Sequence, residues 1–268
     1  MRYSYENRIV VFLDILGFQE VINKTVRSDG SDNTSEIQNL VDAFNSMRYF
    51  AEPLYLDENS PELDKSKNIT QFSDSLVISF PLNVESGIFW TLLDLRWIII
   101  NLINRGLICR GAITYGKLLH TDRYLFGPAL NDAYNLERQS AVYPRVILSE
   151  NLIKVGKKYH SKHHNRQREE KFIRKLISLD QDGWYYIDYF NVMDDLDDPE
   201  YDYPCYLKNL SKVITEGLKH KDLNIKAKYQ WMAEKYNETV TNIRKNLEDI
   251  DFNPELKKLY YNLPTFLQ

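Results

Sequence analysis

Cysteine is almost missing from this 268-residue chain, which has only Cys109 and Cys205. Two thiols so far apart exclude a disulfide-stapled scaffold and a thiolate zinc site, and both read as reduced packing residues. An excess of positive charge is missing too, with Lys and Arg numbering 34 against 38 Asp and Glu. No global positive field exists to hold a nucleic-acid backbone, so small substrates or protein partners fit better and no nucleic-acid partner is expected. Long apolar runs are lacking: the most apolar stretch, SGIFWTLLDLRWIIINLI at 86–103, is interrupted by Asp94 and Arg96. A bilayer span needs roughly 18 to 20 uninterrupted apolar residues, so this stretch reads as a buried helix and no membrane partner is expected. The first residues lack the apolar segment of a signal peptide, and the expected location is cytoplasmic. Neither a GxxxxGK[ST] phosphate loop nor a GxGxxG turn appears, and no repeat or low-complexity tract is visible.

What is present is 43% hydrophobic residues, enough to fill the core of one large domain or of a domain with an appendage. Residues 8–14 form a β-branched and aromatic run that reads as a buried strand, breaking at Gly17 into a helix near 18–26. RSDGSDNTSE at 27–36 reads as a polar loop, with Thr34, Ser35 and Glu36 opening a helix through Phe44. A second exposed loop is expected at 55–68. ITQFSDSLVISF at 69–80 gives two short strands meeting at Ser73 and Asp74, a hairpin. After the helix at 86–104 come a strand at 107–120, a helix behind a Gly-Pro start at 126–141 and a strand at 144–149. A solvated basic segment is expected at 154–171, then a hairpin at 175–190 turning at Asp182 and Gly183. The order predicts an α+β sheet with helices on one face. Beyond it, the acidic stretch MDDLDDPEYDY at 193–203 reads as a linker to helical patterns at 205–219, 222–247 and 254–262. The expected division is a domain over 1–192 and a helical region over 193–268.

Asp14 closes the apolar run Ile9, Val10, Val11, Phe12, Leu13, where a charge is expensive to bury. Asp74 stands at the hairpin tip. If the two strands are neighbours in the sheet, the carboxylates converge, and they repel unless a cation or a proton lies between them. Mg²⁺ or Mn²⁺ shared with triphosphate oxygens suits such a pair, because Mg²⁺ sites usually borrow ligands from the substrate. Spacing alone equally allows Asp14 to cap a helix and Asp74 to make a turn bond. His160, His163 and His164 lie in the basic stretch with no acidic or Cys partner nearby, and read as solvated. Tyr229, Met232, Ala233 and Tyr236 fall at helical spacing and read as a packing stripe.

Taken together, VVFLDILGF, FSDSLVISF, CRGAITYGKLL and YLFGPALNDAYNLERQSA, in this order and followed by RVILS, resemble the catalytic domain of class III nucleotidyl cyclases. That family carries a Phe-x-Asp-Ile-x-Gly-Phe strand-turn, a Gly-Asp hairpin, an Arg- and Gly-bearing strand and a Phe-Gly-x-x-x-Asn-x-Ala helix start. The resemblance covers roughly residues 8–150. It implies a ferredoxin-like βαββαβ core with the C-terminal helical appendage outside it, acting as a head-to-tail homodimer on a nucleoside triphosphate. It further implies two Mg²⁺ or Mn²⁺ ions held by Asp14, Ile15 and Asp74, with Leu16, Gly17 and Phe18 binding phosphate. Asn131 matches a ribose-contacting Asn.

The departures are specific. The purine-selecting position four before the second aspartate, Lys or Glu in the family, is Thr70, and its partner position just before LFG is Tyr124. A phenol there shrinks the base pocket or stacks on a base, which suits a pyrimidine. This agrees with a resemblance to the pyrimidine cyclases of bacterial anti-phage (Pycsar) signalling, which make cyclic UMP or cyclic CMP for a separate effector. The family's transition-state Arg is replaced by Asn135. Arg138 is the expected substitute, three residues on; Arg110 and Arg145 are weaker ones, and the family's phosphate-binding Lys falls near Lys175 without a secure match. The alternatives are a purine cyclase, a catalytically silent nucleotide-binding module, and a metal-dependent polymerase-like palm, which the FGPALNDA segment disfavours.

Overall fold

A central strand that pairs on both edges organises the sheet. The computed structural model describes residues 3–51, 61–248 and 252–266. Its strands are β1 (Glu6–Ile15), β2 (Asn68–Phe72), β3 (Ser75–Pro81), β4 (Cys109–His120), β5 (Leu125–Phe126), β6 (Val146–Leu148), β7 (Ile177–Leu179) and β8 (Tyr185–Ile187). The helices are α1 (Phe18–Lys24), α2 (Thr34–Ala51), α3 (Glu62–Ser66), α4 (Gly87–Asn104), α5 (Pro128–Ser140), α6 (Glu150–Lys158), α7 (Arg166–Lys175), α8 (Pro199–Leu218), α9 (Leu223–Asn246) and α10 (Pro254–Tyr261). The sheet order is β2-β3-β1-β4-β6-β8-β7, with β5 paired to β4. β1 runs antiparallel to both β3 and β4, and β2 antiparallel to β3. This is the ferredoxin-like βαββαβ arrangement within an α+β fold. By compactness the chain divides into one unit of Met1–Asn101 and Ile108–Ile187 and another of Leu102–Leu107 and Asp188–Gln268.

Period-two alternation in β1 sends Ile9, Val11, Leu13 and Ile15 to one face, all essentially without exposure. Register places them beside Leu76, Ile78 and Phe80 of β3. Gly87 at the start of α4 lies against the Phe80 ring, so closely that a Cβ there would overlap it. Helix α4 is long and apolar enough, by length and composition, to cross a membrane, but 61% of that window is buried within the protein. Of its interrupting charges, Asp94 accepts from Lys67 Nζ at 3.1 Å. Burial still pushes the Asp94 carboxyl above the usual carboxylate range, with Lys67 opposing.

The second unit is helical. The Tyr203 and Tyr206 hydroxyls donate to the Phe190 and Tyr189 carbonyls, each at 2.7 Å. Of the expected stripe on α9, Met232, Ala233 and Tyr236 are buried and Tyr229 is half-buried, and Trp231, which was not expected, is buried beside them. Gly217 of α8 leaves the space that the Tyr229 ring fills.

Six expectations are revised. Within 55–68, residues 55–60 lie outside the described ones, and residues 61–68 are not an exposed loop: α3 forms behind Pro61 and buries Leu63. The segment 154–171 keeps most of its basic side chains exposed, as expected, but it is not a loop throughout: it holds the end of α6 and most of α7, which ion pairs between the two helices join. Lys157 bonds Glu170 at 2.5 Å, Arg174 bonds Glu150 at 2.7 Å, and Asn165 caps α7. His164 accordingly has an acidic partner, Glu169, at 2.5 Å, and that buried carboxylate also accepts from Ser86 Oγ at 2.8 Å. The acidic linker is shorter than its composition suggested, since Asp198 caps α8 and brings helix start forward to Pro199. Cys205 is exposed rather than packed, while Cys109 is buried. Finally, helices are not confined to one face: α5 packs on Val10 and Val77, on the face opposite to Phe80 and the start of α4.

Gly111 of β4 sits where the sheet is tightest: a Cβ would stand 2.4 Å from the Phe12 carbonyl oxygen. Gly111→Ala is expected to cost about 2 kcal/mol through this overlap. A urea-unfolding midpoint unchanged from wild type would reject that account of the strand packing.

Candidate active site

The other face of β1 carries Arg8, Val10, Phe12 and Asp14. Register adds Ser75, Val77 and Ser79 from β3, Arg110, Ala112 and Thr114 from β4, and, through Val77, Thr70 from β2. Helix α5 covers the middle of this face. Ala129 and Ala133 cluster with Val10, Val77 and Leu118, Thr114 Oγ1 donates to the Ala129 carbonyl at 2.9 Å, and Tyr134 meets Phe12 edge-on at 5.6 Å.

At one end of this face the two aspartates come together. The β2–β3 turn holds Ser73 at φ 53°, and the carbonyl of the next residue, Asp74, accepts from the Ile15 amide at 3.1 Å. That bond ties the turn to the end of β1, beside Asp14. The Asp14 carboxyl is pushed above the usual carboxylate range, by burial first and by the Asp74 charge second. Ser75 Oγ, donating at 3.3 Å, and Arg110, with Nε at 3.7 Å, offset this only in part. Arg110 is drawn more closely to Glu137 of α5, which is buried. The Cys109 thiol is pushed up to about 12 by burial and by Asp14. Two neighbouring carboxylates, hard oxygen donors, are a donor set that suits Mg²⁺ or Mn²⁺. Among the described residues no group of three or more His, Cys, Asp or Glu is placed to hold a metal, so further ligands would come from backbone, water or substrate.

Just beyond Asp14, Gly17 takes φ 70°, a left-handed conformation that favours glycine. The Leu16 amide donates to the Ile108 carbonyl at 2.9 Å, so it belongs to the sheet and not to an anion site. Gly17 and Phe18 remain as the amides of this turn that could meet phosphate.

The remaining expected residues are dispersed. Thr70 Oγ1 meets His120 Nε2 at 2.9 Å, whereas Tyr124 is exposed and meets Tyr3 edge-on at 5.4 Å. Asn131, Asn135 and Arg138 are exposed at i, i+4, i+7 spacing along α5. Arg145 is no phosphate ligand: it is fully buried and pairs with Asp180 and Asp182. Burial would raise the Asp182 carboxyl, but the Arg145 bond and the Trp184 amide hold it below the usual range. Lys175 is exposed at the end of α7.

Sequence reasoning missed Arg8, Ser79, His120 and Glu137. The signal available for the first two was a polar residue inside a largely apolar strand. For Glu137 nothing distinguished it from its exposed neighbours on the helix.

No protein-family model matches the chain, and no curated protein does. Among solved structures it is similar to the adenylyl cyclase CyaB from P. aeruginosa, at 15% identity and TM-score 0.44 over 70% of this chain and 96% of that one. It is similar to a bacterial light-regulated adenylyl cyclase at 13% identity and TM-score 0.42, over 65% of this chain and 58% of that one. A third is the catalytic core of a rhodopsin-guanylyl cyclase with converted specificity in complex with ATPαS, at 14% identity and TM-score 0.37, over 69% and 96%. At such low identity and TM-score these likenesses carry no argument about activity.

The raised Asp14 carboxyl has a stability consequence. A carboxyl whose folded value lies above its unfolded value costs stability as pH rises from the ordinary carboxylate range through the folded value. Without divalent cations, Asp74→Asn removes one cause of that shift. The variant is expected to match wild type in acid and to exceed it increasingly as pH rises to 7, by chemical denaturation in EDTA. A wild type at least as stable as the variant at pH 7 would show that the two charges do not repel.

Proposed function

We propose that this chain is a nucleotidyl cyclase, converting a nucleoside triphosphate to a 3′,5′-cyclic mononucleotide and pyrophosphate. The single observation that carries the reading is the placement of Asp14 at the end of β1 beside the turn that carries Asp74, whose main-chain carbonyl accepts from the Ile15 amide at 3.1 Å and whose charge helps to raise the Asp14 carboxyl. It gains support from the four ordered segments of the sequence and from the ferredoxin-like strand order.

In this reading Asp14 and Asp74, with the Ile15 carbonyl, hold two divalent cations. Such ions neutralise triphosphate charge and acidify the ribose 3′-hydroxyl. The amides of Gly17 and Phe18 donate to phosphate oxygens, and Gly17 lets the backbone approach. Asn131 contacts the ribose, Arg138 faces the developing phosphate charge in place of the residue now occupied by Asn135, and Thr70 and Tyr124 bound the base. The bond formed joins the 3′-oxygen to the α-phosphorus. The bond broken releases pyrophosphate, and the hydroxyl proton passes to solvent.

The small polar Thr70 and the bulky Tyr124 favour UTP or CTP over purines, giving cyclic UMP or cyclic CMP. A cytoplasmic homodimer with sites completed across its interface, signalling to a separate effector during phage infection, is the setting this implies. One observation favours a second reading, a silent nucleotide-binding module: Asn135 replaces the family's arginine and Arg138 is exposed.

Incubation with each of the four ribonucleoside triphosphates and Mn²⁺, with mass spectrometry of products, separates the readings. A cyclic pyrimidine mononucleotide is expected; a cyclic purine product would move the assignment to a purine cyclase, and absence of any cyclic product would reject turnover. Asp14→Ala and Asp74→Ala should each lower the rate about a hundredfold or more while leaving the fold intact. Thr70→Ala or Tyr124→Ala should change the ranking of substrates, and an unaltered ranking would remove both from the base pocket.

A further inference from the structure

Helix α5 buries Ala129, Ala133 and Glu137, residues spaced so that they share one face. The last is a carboxylate, 2% exposed, and the proposed chemistry gives it no part. Burying a charge is expensive unless a partner is buried with it. Arg110 of β4 is such a partner, with its Nε in contact with Glu137 Oε1. Arg110 also stands opposite Asp14 in the β1–β4 register, and its Nε lies 3.7 Å from Asp14 Oδ2. One guanidinium is therefore shared by two carboxylates, one almost enclosed and one partly open to solvent.

Opposite charges that face each other across an antiparallel pair attract, so Arg110 left alone would close on Asp14. A charge-assisted N–H···O bond measures about 2.7–2.9 Å. The guanidinium has instead closed on Glu137 and stands back from Asp14. That is the expected direction, since a charge is drawn more strongly to the more enclosed of two carboxylates. Arg110 still acts on Asp14 as a charge, lowering a carboxyl that burial and Asp74 raise. Carboxylate oxygens bonded to a guanidinium are closed to a metal ion, whereas those merely near one stay open. A dication arriving at Asp14 would repel Arg110, and Glu137 gives that arginine a place to remain paired.

We propose that Glu137 is a positioning residue that holds Arg110 off Asp14, and so keeps the Asp14 carboxylate open to a divalent cation. This rests on the cyclase reading only in placing a cation at Asp14. Glu137 touches neither substrate nor metal, and acts through Arg110 alone. Without its carboxylate, Arg110 moves onto Asp14 and competes with the cation for the same oxygens.

Cation binding is read without nucleotide or turnover, from the electron paramagnetic resonance signal of free Mn²⁺ in a titration. Wild type should hold Mn²⁺, and Asp14→Ala should release it. Glu137→Gln should weaken binding about tenfold, the size usual when a residue that orients a metal site from outside is removed. In an Arg110→Gln background the same substitution should change binding less than about twofold, because no guanidinium remains to be released. Glu137→Asp keeps the charge but draws the anchor back by a methylene, and should weaken binding about threefold. It decides the matter even if Glu137→Gln does not fold. Binding unchanged by either substitution of Glu137, or an equal loss with and without Arg110, overturns the proposal alone. No Mn²⁺ binding, or binding that Asp14→Ala does not weaken, overturns the cation placement of the cyclase reading and the proposal with it. The expected affinities without any cyclic product support the proposal and overturn the cyclase reading alone.

Discussion

Everything chemical in the first unit depends on β1 being hydrogen-bonded along both edges. With β3 on one side and β4 on the other, its twist and register are fixed, and its alternation divides ten residues between two unlike environments. One face is apolar from Ile9 to Ile15. The other is apolar only in its middle, where Val10 and Phe12 lie under α5, and polar at both ends. Arg8 and Asp14 are thus separated by six residues of extended chain, about 20 Å. At that distance, through a partly solvated surface, a guanidinium does little for a carboxylate. The charge on Asp14 must be met locally, and the nearest arginine, Arg110, is already drawn to Glu137.

The arginines show how a fold consumes charge. Arg8 is committed to Ser79, Asn68, Glu6 and two carbonyls, Arg110 to Glu137, and Arg145 to Asp180 and Asp182. Each is held where removal would strand a buried partner, which is costly in a low-dielectric interior. Arg138, exposed on α5, is not committed in that way. In the proposed reading, a site that faces a triphosphate therefore draws little on the arginines of its own sheet. That agrees with a proposed chemistry resting on metal ions, backbone amides and one exposed guanidinium.

Much of this was legible in the sequence where a local signal and the tertiary need coincided. The hairpin at Ser73 and Asp74, the strand ending at Asp14, the helix behind Gly127-Pro128 and the turn at Gly183 all have both a local cue and a long-range role. The helices α3, α6 and α7 were missed because their stability comes from partners distant in sequence: Leu63 finds the core, and Glu150 and Glu170 gather cations that look solvated when read alone. The polar chain of Ser79, His120 and Thr70 was invisible for the same reason. Its members lie on different strands, and only register brings them together. The turn proposed to meet phosphate was read one residue too generously, because the Leu16 amide is taken by the Ile108 carbonyl, a bond that no local pattern announces.

The two thiols have opposite chemical characters. Cys109 is enclosed beside Asp14, with its thiolate form suppressed by burial and by the neighbouring carboxylate, so thiol reagents have neither access to it nor a nucleophile to meet. Cys205 lies exposed on α8. A maleimide dye added to the native protein therefore labels a single position, in the helical unit and away from the aspartate pair in sequence. The protein carries its own attachment point for a fluorescent or spin probe, and no cysteine need be engineered or removed to use it.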